Sequence, residues 1–182
     1  VQSGCPHRER LGYGGDIVAT SEAFMANYNM AGFYAKAVQD WTDSARPDGM
    51  FTDTAPFIGI QYCGPIWAIA QPLLSDQLYQ YYGDLRTGQE GYEAAKKWLL
   101  LVEKQHTSGI VTSGLSDHES LTENPAPDLV TPMYFQCAQI LARLAGRQGR
   151  KQDQEYFTAL ASKIQAAYLA KFAAELFAEA QR

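Results

Sequence analysis

The chain has 182 residues, of which 46% are hydrophobic and 19% charged, and a formal net charge of −5. This is enough apolar material for the core of one domain, or of a piece of a larger one, and it excludes disorder. The negative balance and the lack of a basic run argue against nucleic acid, and no apolar stretch approaches the roughly 20 residues that span a bilayer.

Six helices separated by Gly-, Pro- and Asp-rich connections are predicted. The first runs from about Asp16 to Asn29. The second spans about Ala31 to Ser44, with Tyr34, Val38 and Trp41 on one face, and Arg46-Pro47-Asp48-Gly49 follows as a turn. Residues 51–64 show no helical period and read as extended or irregular. The third helix spans about Pro65 to Tyr82 with Gly83 as its stop, and Pro72 inside it should kink or divide it. The fourth runs from about Gly88 to Lys104, burying Tyr92, Ala95, Leu99 and Val102. Residues 106–127 form a long connection, of the kind that is usually functional or mobile. The fifth spans about Asp128 to Ala145, with Met133, Cys137, Ile140, Leu141 and Leu144 on one face. The sixth runs from about Gln152 to Phe172 or beyond, with Phe157, Leu160, Ala161, Ile164 and Tyr168 on one face. The expected fold is all-α: three αα-hairpins, compatible with a bundle, a solenoid or part of a toroid.

The most distinctive segment is Cys5-Pro6-His7-Arg8-Glu9-Arg10-Leu11-Gly12-Tyr13-Gly14-Gly15-Asp16. It sets two arginines around a glutamate, adds an aromatic and three glycines, and ends on an aspartate at a helix start. Glycines let the backbone turn tightly or approach a ligand closely, and carboxylates at both ends of such a turn suit one polar ligand. The alternative is a surface Arg-Glu-Arg ion-pair cluster.

This segment resembles the acid-bearing stretch of the α-L-rhamnosidases of glycoside hydrolase family 78, which reads Asp-Cys-Pro, a few polar residues, Glu-Arg-Leu-Gly-aromatic, then Gly-Asp. Glu9-Arg10-Leu11-Gly12-Tyr13 and Gly15-Asp16 match, whereas Gly4 stands where the family has Asp. Weaker likenesses occur at Gln80-Tyr81-Tyr82-Gly83-Asp84 and Gly114-Leu115-Ser116-Asp117-His118-Glu119. The resemblance implies about half of a catalytic (α/α)6 toroid over residues 1–182, with an acid-bearing loop at 1–15 and a cleft loop at 106–127. It implies an inverting hydrolase that removes terminal L-rhamnose from glycosides or polysaccharides. Glu9 is then the general acid. Asp16 and Asp117 hold sugar hydroxyls, Tyr13 stacks on the sugar, and Trp67 and Arg10 belong to the same site. The family's general base is a Glu beyond residue 182; Glu155, Glu175 and Glu179 lack its context. The chain, which opens on Val1 and carries no signal-peptide pattern, reads as a fragment without its base. The rest of the catalytic domain, or a second copy, is expected to cover its open flank.

A general acid must hold its proton near working pH, yet flanking guanidinium groups favour a charged carboxylate. Arg8 and Arg10 must therefore turn aside or pair elsewhere, for instance Arg10 with Asp16. His7 reads as a scaffold residue. Trp67, in an apolar run, and Tyr79, Tyr81 and Tyr82, at a helix end, also fit packing. Asp117-His118-Glu119 is either solvated loop charge or part of the cleft. No metal and no cofactor are expected, and Cys5, Cys63 and Cys137 read as free thiols. Two other readings stay open: a helical scaffold or carbohydrate-binding remnant without turnover, and an (α/α) toroid hydrolase or lyase acting on uronic acids. The compartment is open.

Overall fold

The computed structural model describes residues 7–117, 120–121 and 125–179, the last helix as backbone alone from 174 onward. The described residues form seven helical segments: α1 (Gly14–Asn27), α2 (Ala31–Asp43), α3 (Pro65–Ala68), α4 (Ala70–Tyr82), α5 (Leu85–Gln105), α6 (Ala126–Arg147) and α7 (Lys151–Glu179). Among them there is no strand, only an isolated antiparallel bridge between Tyr13 and Thr54.

The segments α3 and α4 are one predicted helix divided at Ile69. The break falls one turn before Pro72. Proline lacks an N–H, and its ring crowds the carbonyl four residues back, here that of Ala68. Four starts, those of α1, α5, α6 and α7, lie one to three residues earlier than predicted. Helix α5 begins at Leu85 because the Asp84 carboxylate caps it, accepting the Thr87 N–H at 3.0 Å and the Thr87 hydroxyl at 2.6 Å. Helix α1 begins at Gly14, whose N–H donates to the Asp53 carbonyl at 2.9 Å.

The helices lie in two rows. In one, α1 rests on α3 and α4, and α4 rests on α6; in the other, α2 meets α5, and α5 bonds to α7 through Tyr92 and Lys96 on Asp153, while α7 also lies along α6 of the first row. Across the rows α4 packs on α2 and α5, and α6 packs on α5. The first hairpin is open: α2 turns its apolar face to α4 rather than to α1. The predicted stripes form the core between the rows. Tyr34, Val38 and Trp41 are buried, as are Tyr92, Ala95, Leu99, Val102, Phe157, Leu160 and Ile164. On α6 the core takes Tyr134 fully and Met133 only in part. Burying side chains of this size stabilises the fold by about 1.5–3 kcal/mol each before entropy is subtracted.

The row of α1, α3 and α6 has its three helix N-termini at one end. There the connections before α1, between α2 and α3, and between α5 and α6 come together, and they build the site.

Candidate active site

Backbone hydrogen bonds sew these three connections to one another. Residues 12–14 pair with 53–55: the Ala55 N–H donates to the Gly12 carbonyl at 3.1 Å, and the Gly14 N–H to the Asp53 carbonyl at 2.9 Å. The third connection joins through the Leu115 N–H, which donates to the Cys63 carbonyl at 2.8 Å. The segment 53–64 is closed on itself by the Asp53 carboxylate. That group is buried, and it accepts the N–H groups of Tyr62 at 2.6 Å, Cys63 at 2.7 Å and Gly64 at 3.1 Å.

The glycines of this region are packing requirements. A Cβ on Gly14 would lie 2.0 Å from the Trp67 carbonyl oxygen, and one on Gly15 would lie 2.7 Å from the Trp67 indole. Trp67 therefore sits directly beneath the first turn of α1. Where the second and third connections cross, Gly64 and Gly114 have φ of 85° and 100°, and a Cβ on Gly64 would fall 2.8 Å from the Gly114 Cα. No other residue type meets both conditions.

This frame encloses an open cavity of about 540 Å³. Glu9, Tyr13, Asp16, Trp67 and Asp117 all border it, together with Arg8, Gly15, Tyr62, Cys63, Ile66, Leu115, Ser116 and Leu129. Five of the six residues singled out in the sequence thus share one cavity, contributed by three separate stretches of chain. Arg10 is the exception. It is exposed, borders no part of the cavity, and has a φ of 58° that turns the chain between Glu9 and Leu11. The arginine on the cavity is Arg8, whose guanidinium lies 3.4 Å from the Glu9 carboxylate. One turn further along α1 lies a second, polar cavity of about 420 Å³, bordered by Glu22, Asp76, Gln77 and Arg143; Ala19 borders both.

Of the other residues considered, Tyr82 is a staple between elements: its hydroxyl accepts the Met30 N–H at 3.0 Å and donates to the Tyr28 carbonyl at 3.2 Å. The ring of Tyr79 carries the Arg147 guanidinium 4.0 Å from its centre, and Tyr81 stacks at a tilt on Tyr82. Gly4, Cys5, His118 and Glu119 lie outside the described residues. Among the described residues no three His, Cys, Asp or Glu side chains cluster as metal ligands would, and no helix is long and apolar enough to cross a membrane. Cys63 and Cys137 are free, buried thiols. Burial, then the charge of Asp53 and a hydrogen bond to it, push the Cys63 thiol up to about 12, which makes it a poor nucleophile at neutral pH.

A family model described as the bacterial alpha-L-rhamnosidase 6 hairpin glycosidase domain matches residues 1–178. The chain belongs to this family. Its two rows of helices are accordingly part of an (α/α)6 toroid. An alpha-L-rhamnosidase of Streptomyces avermitilis is 30% identical over 168 residues, which are 89% of this chain and 16% of that protein. The crystal structure of the Streptomyces avermitilis alpha-L-rhamnosidase complexed with L-rhamnose matches with a TM-score of 0.80 at 28% identity, over 89% of this chain and 16% of that one. The alpha-L-rhamnosidase of Dictyoglumus thermophilum also matches with a TM-score of 0.80 at 28% identity, over 90% of this chain and 19% of that one. The chain therefore spans between 16% and 19% of the length of these rhamnosidases.

Sequence reading passed over Asp53, Tyr62, Ile66 and Leu129. Ile66 and Leu129 look like helix-start core residues, and only the convergence of α3 and α6 puts them on a cavity. Asp53 gave one weak signal, a lone carboxylate in an otherwise uncharged irregular stretch. Its amide partners lie nine to eleven residues downstream, beyond any local turn pattern.

Proposed function

We propose that this chain carries the proton-donating side of an inverting α-L-rhamnosidase active site. The observation that supports it is the meeting of Glu9, Asp16, Asp117, Tyr13 and Trp67 on one cavity. Glu9 protonates the glycosidic oxygen as the bond to the leaving group breaks. Asp16 and Asp117 accept hydrogen bonds from the sugar hydroxyls, which orients the ring. Tyr13 and Trp67 offer aromatic faces to its apolar C–H surface. An inverting mechanism needs a second carboxylate on the opposite face of the sugar, with room for a water. That base comes from outside these 182 residues. The substrate is a terminal L-rhamnoside, and the remainder of the catalytic domain covers the face of the α1, α4 and α6 row, where Glu22, Asp76, Gln77 and Arg143 present a polar surface.

One observation favours a second reading. Arg8 and the N-termini of α1, α3 and α6 all border the cavity, and helix N-termini favour negative charge. An acidic sugar, such as a uronate, suits that field.

The test is Glu9→Gln in the longer polypeptide. Hydrolysis of rhamnosides with poor leaving groups should fall by about 10²–10⁴, the usual contribution of a general acid. Aryl rhamnosides with acidic phenols should lose far less, since they need little protonation. An equal loss on both substrate types would demote Glu9 to a structural residue. Turnover of a uronide in place of a rhamnoside would favour the second reading.

A further inference from the structure

We propose that Asp53 is the positioning residue of this cavity: it sets the place of Tyr62, Asp117 and the first turn of α1 around the bound sugar, and so rests on the sugar-site reading above. Its side chain is 2% exposed and accepts three consecutive backbone N–H groups, those of Tyr62, Cys63 and Gly64. Successive amides converging on one anion form a nest. Here the anion is an internal carboxylate rather than a ligand, so the nest serves to hold its own loop.

The consequence follows from peptide planarity. In a trans peptide the C=O and N–H point in opposite directions. The peptide between Cys63 and Gly64 gives its N–H to Asp53 at 3.1 Å, so its carbonyl must face away. That carbonyl takes the Leu115 N–H at 2.8 Å. Leu115, Ser116 and Asp117 all border the cavity. The Asp53 carboxylate thus orients one peptide plane, and that plane anchors the stretch that carries Asp117. On its other side the Asp53 main-chain carbonyl takes the Gly14 N–H at 2.9 Å, two residues before Asp16. One residue is bonded to each of the two neighbouring stretches or to the plane that holds them. Asp53 lines a separate cavity of about 210 Å³ together with Gln61, Tyr62 and Gly64, and it does not line the sugar cavity, so it stands inside the wall rather than on the sugar face.

Asp53→Asn replaces an acceptor oxygen by an NH2 group, which cannot accept from an N–H. At least one of the three amides loses its partner, while size is preserved. Cys63 reports on the change, because its N–H bonds to the Asp53 carboxylate, the charge of Asp53 helps to push its thiol up, and it borders the cavity. The experiment uses a Cys5→Ser background, in which the fully buried Cys137 stays silent. Asp153→Asn serves as a control: Asp153 accepts from Lys96 and Tyr92 between α5 and α7 and lines neither cavity of the wall. Three quantities are measured on each folded variant: helical circular dichroism, the rate of Cys63 alkylation by iodoacetamide at pH 8, and the affinity for L-rhamnose by calorimetry. Asp53→Asn should keep its helical spectrum, alkylate about tenfold faster or more, and bind L-rhamnose at least about tenfold more weakly; Asp153→Asn should alter neither rate nor affinity. Alkylation at the parent rate overturns the proposal. Should Asp53→Asn fail to fold, hydrogen exchange on the unsubstituted chain decides: the amides of residues 62–64 and 115 should be protected and open together, and exchange at free-peptide rates overturns it. A parent chain that does not bind L-rhamnose refutes the sugar reading instead, and leaves the alkylation and exchange results to judge Asp53.

Discussion

Replacing Gly14 by alanine tests the packing that builds the cavity. Gly14 opens α1, and a Cβ there would lie 2.0 Å from the Trp67 carbonyl oxygen and 2.7 Å from its carbonyl carbon. Both obstacles are backbone, so no rotamer change relieves the contact; α1 must move off α3. Overpacking of a well-packed site costs about 1–3 kcal/mol, and a backbone obstacle belongs at the upper end. The opposing gain from exchanging glycine for alanine in a helix is at most about 1 kcal/mol. The net loss is then about 2 kcal/mol, which lowers the melting temperature of a chain this size by about 4–8 °C. Gly32 in α2 is the matched control. Its Cβ would meet nothing within 4 Å, so Gly32→Ala should gain about 0.5–1 kcal/mol from propensity alone. Thermal melts followed at 222 nm measure both. Equal melting temperatures for Gly14→Ala and the parent would refute the contact between α1 and Trp67, and with it the shared cavity.

Burial holds the His106 imidazole below its ordinary value of 6.5. The unfolded chain therefore protonates first, and stability should fall as pH drops through about 6.5 and level off below the folded-state value. His106→Gln should flatten that slope between pH 7 and 5 in urea titrations, and an unchanged slope would assign it to other groups. Asp76 is 2% exposed and pairs with Arg143 at 2.5 Å and Arg147 at 2.6 Å. Asp76→Ala leaves two cations facing each other without their partner and should cost about 3 kcal/mol, the lower end for a buried pair, because Arg143 reaches solvent. The urea midpoint should fall with little change in slope; a midpoint within error of the parent would show that the arginines re-solvate freely.

The helices were legible because each buries one face at a 3.6-residue period, as Tyr34, Val38 and Trp41 do. Their ends were less so. The start of α5 depends on the Asp84 cap, a local signal that can be read. That of α1 depends on Asp53, thirty-nine residues away, which cannot. The division of α3 from α4 shows the same limit: Pro72 announces a break, but its effect falls on the carbonyl of Ala68. In the site, residues chosen for their chemistry converge because all five lie at or just before the N-termini of neighbouring helices, or in the connection beside them. Arg10 alone of the six does not border the cavity: a left-handed φ there turns the chain between Glu9 and Leu11, and no local pattern encodes which of the two arginines flanking Glu9 faces the cavity. The roles of the wall residues Asp53 and Tyr62 were not legible, the lone charge of Asp53 aside, because they arise from backbone bonds between distant loops.

That Arg8 rather than Arg10 faces Glu9 sharpens the conflict noted in the sequence, and magnitudes resolve it. A proton donor cannot stay in an ion pair as a carboxylate. The pair spans 3.4 Å, and its side chains are 71% and 38% exposed. Pairs of that kind are worth about 0–1 kcal/mol, since solvent screens them and two long side chains must be held still. General-acid assistance of 10²–10⁴ corresponds to about 3–5 kcal/mol of transition-state stabilisation. Breaking the Arg8–Glu9 pair therefore costs a small part of what the protonated acid would return. Tyr13 and Asp16 flank the start of α1, where Gly14 packs on Trp67 and bonds to the Asp53 carbonyl. A sugar bound in the open cavity, as proposed, would remove the water that now screens the pair. For Glu9 to act as the proposed acid the guanidinium must turn from it, and an acceptor on the substrate would be the group that decides it.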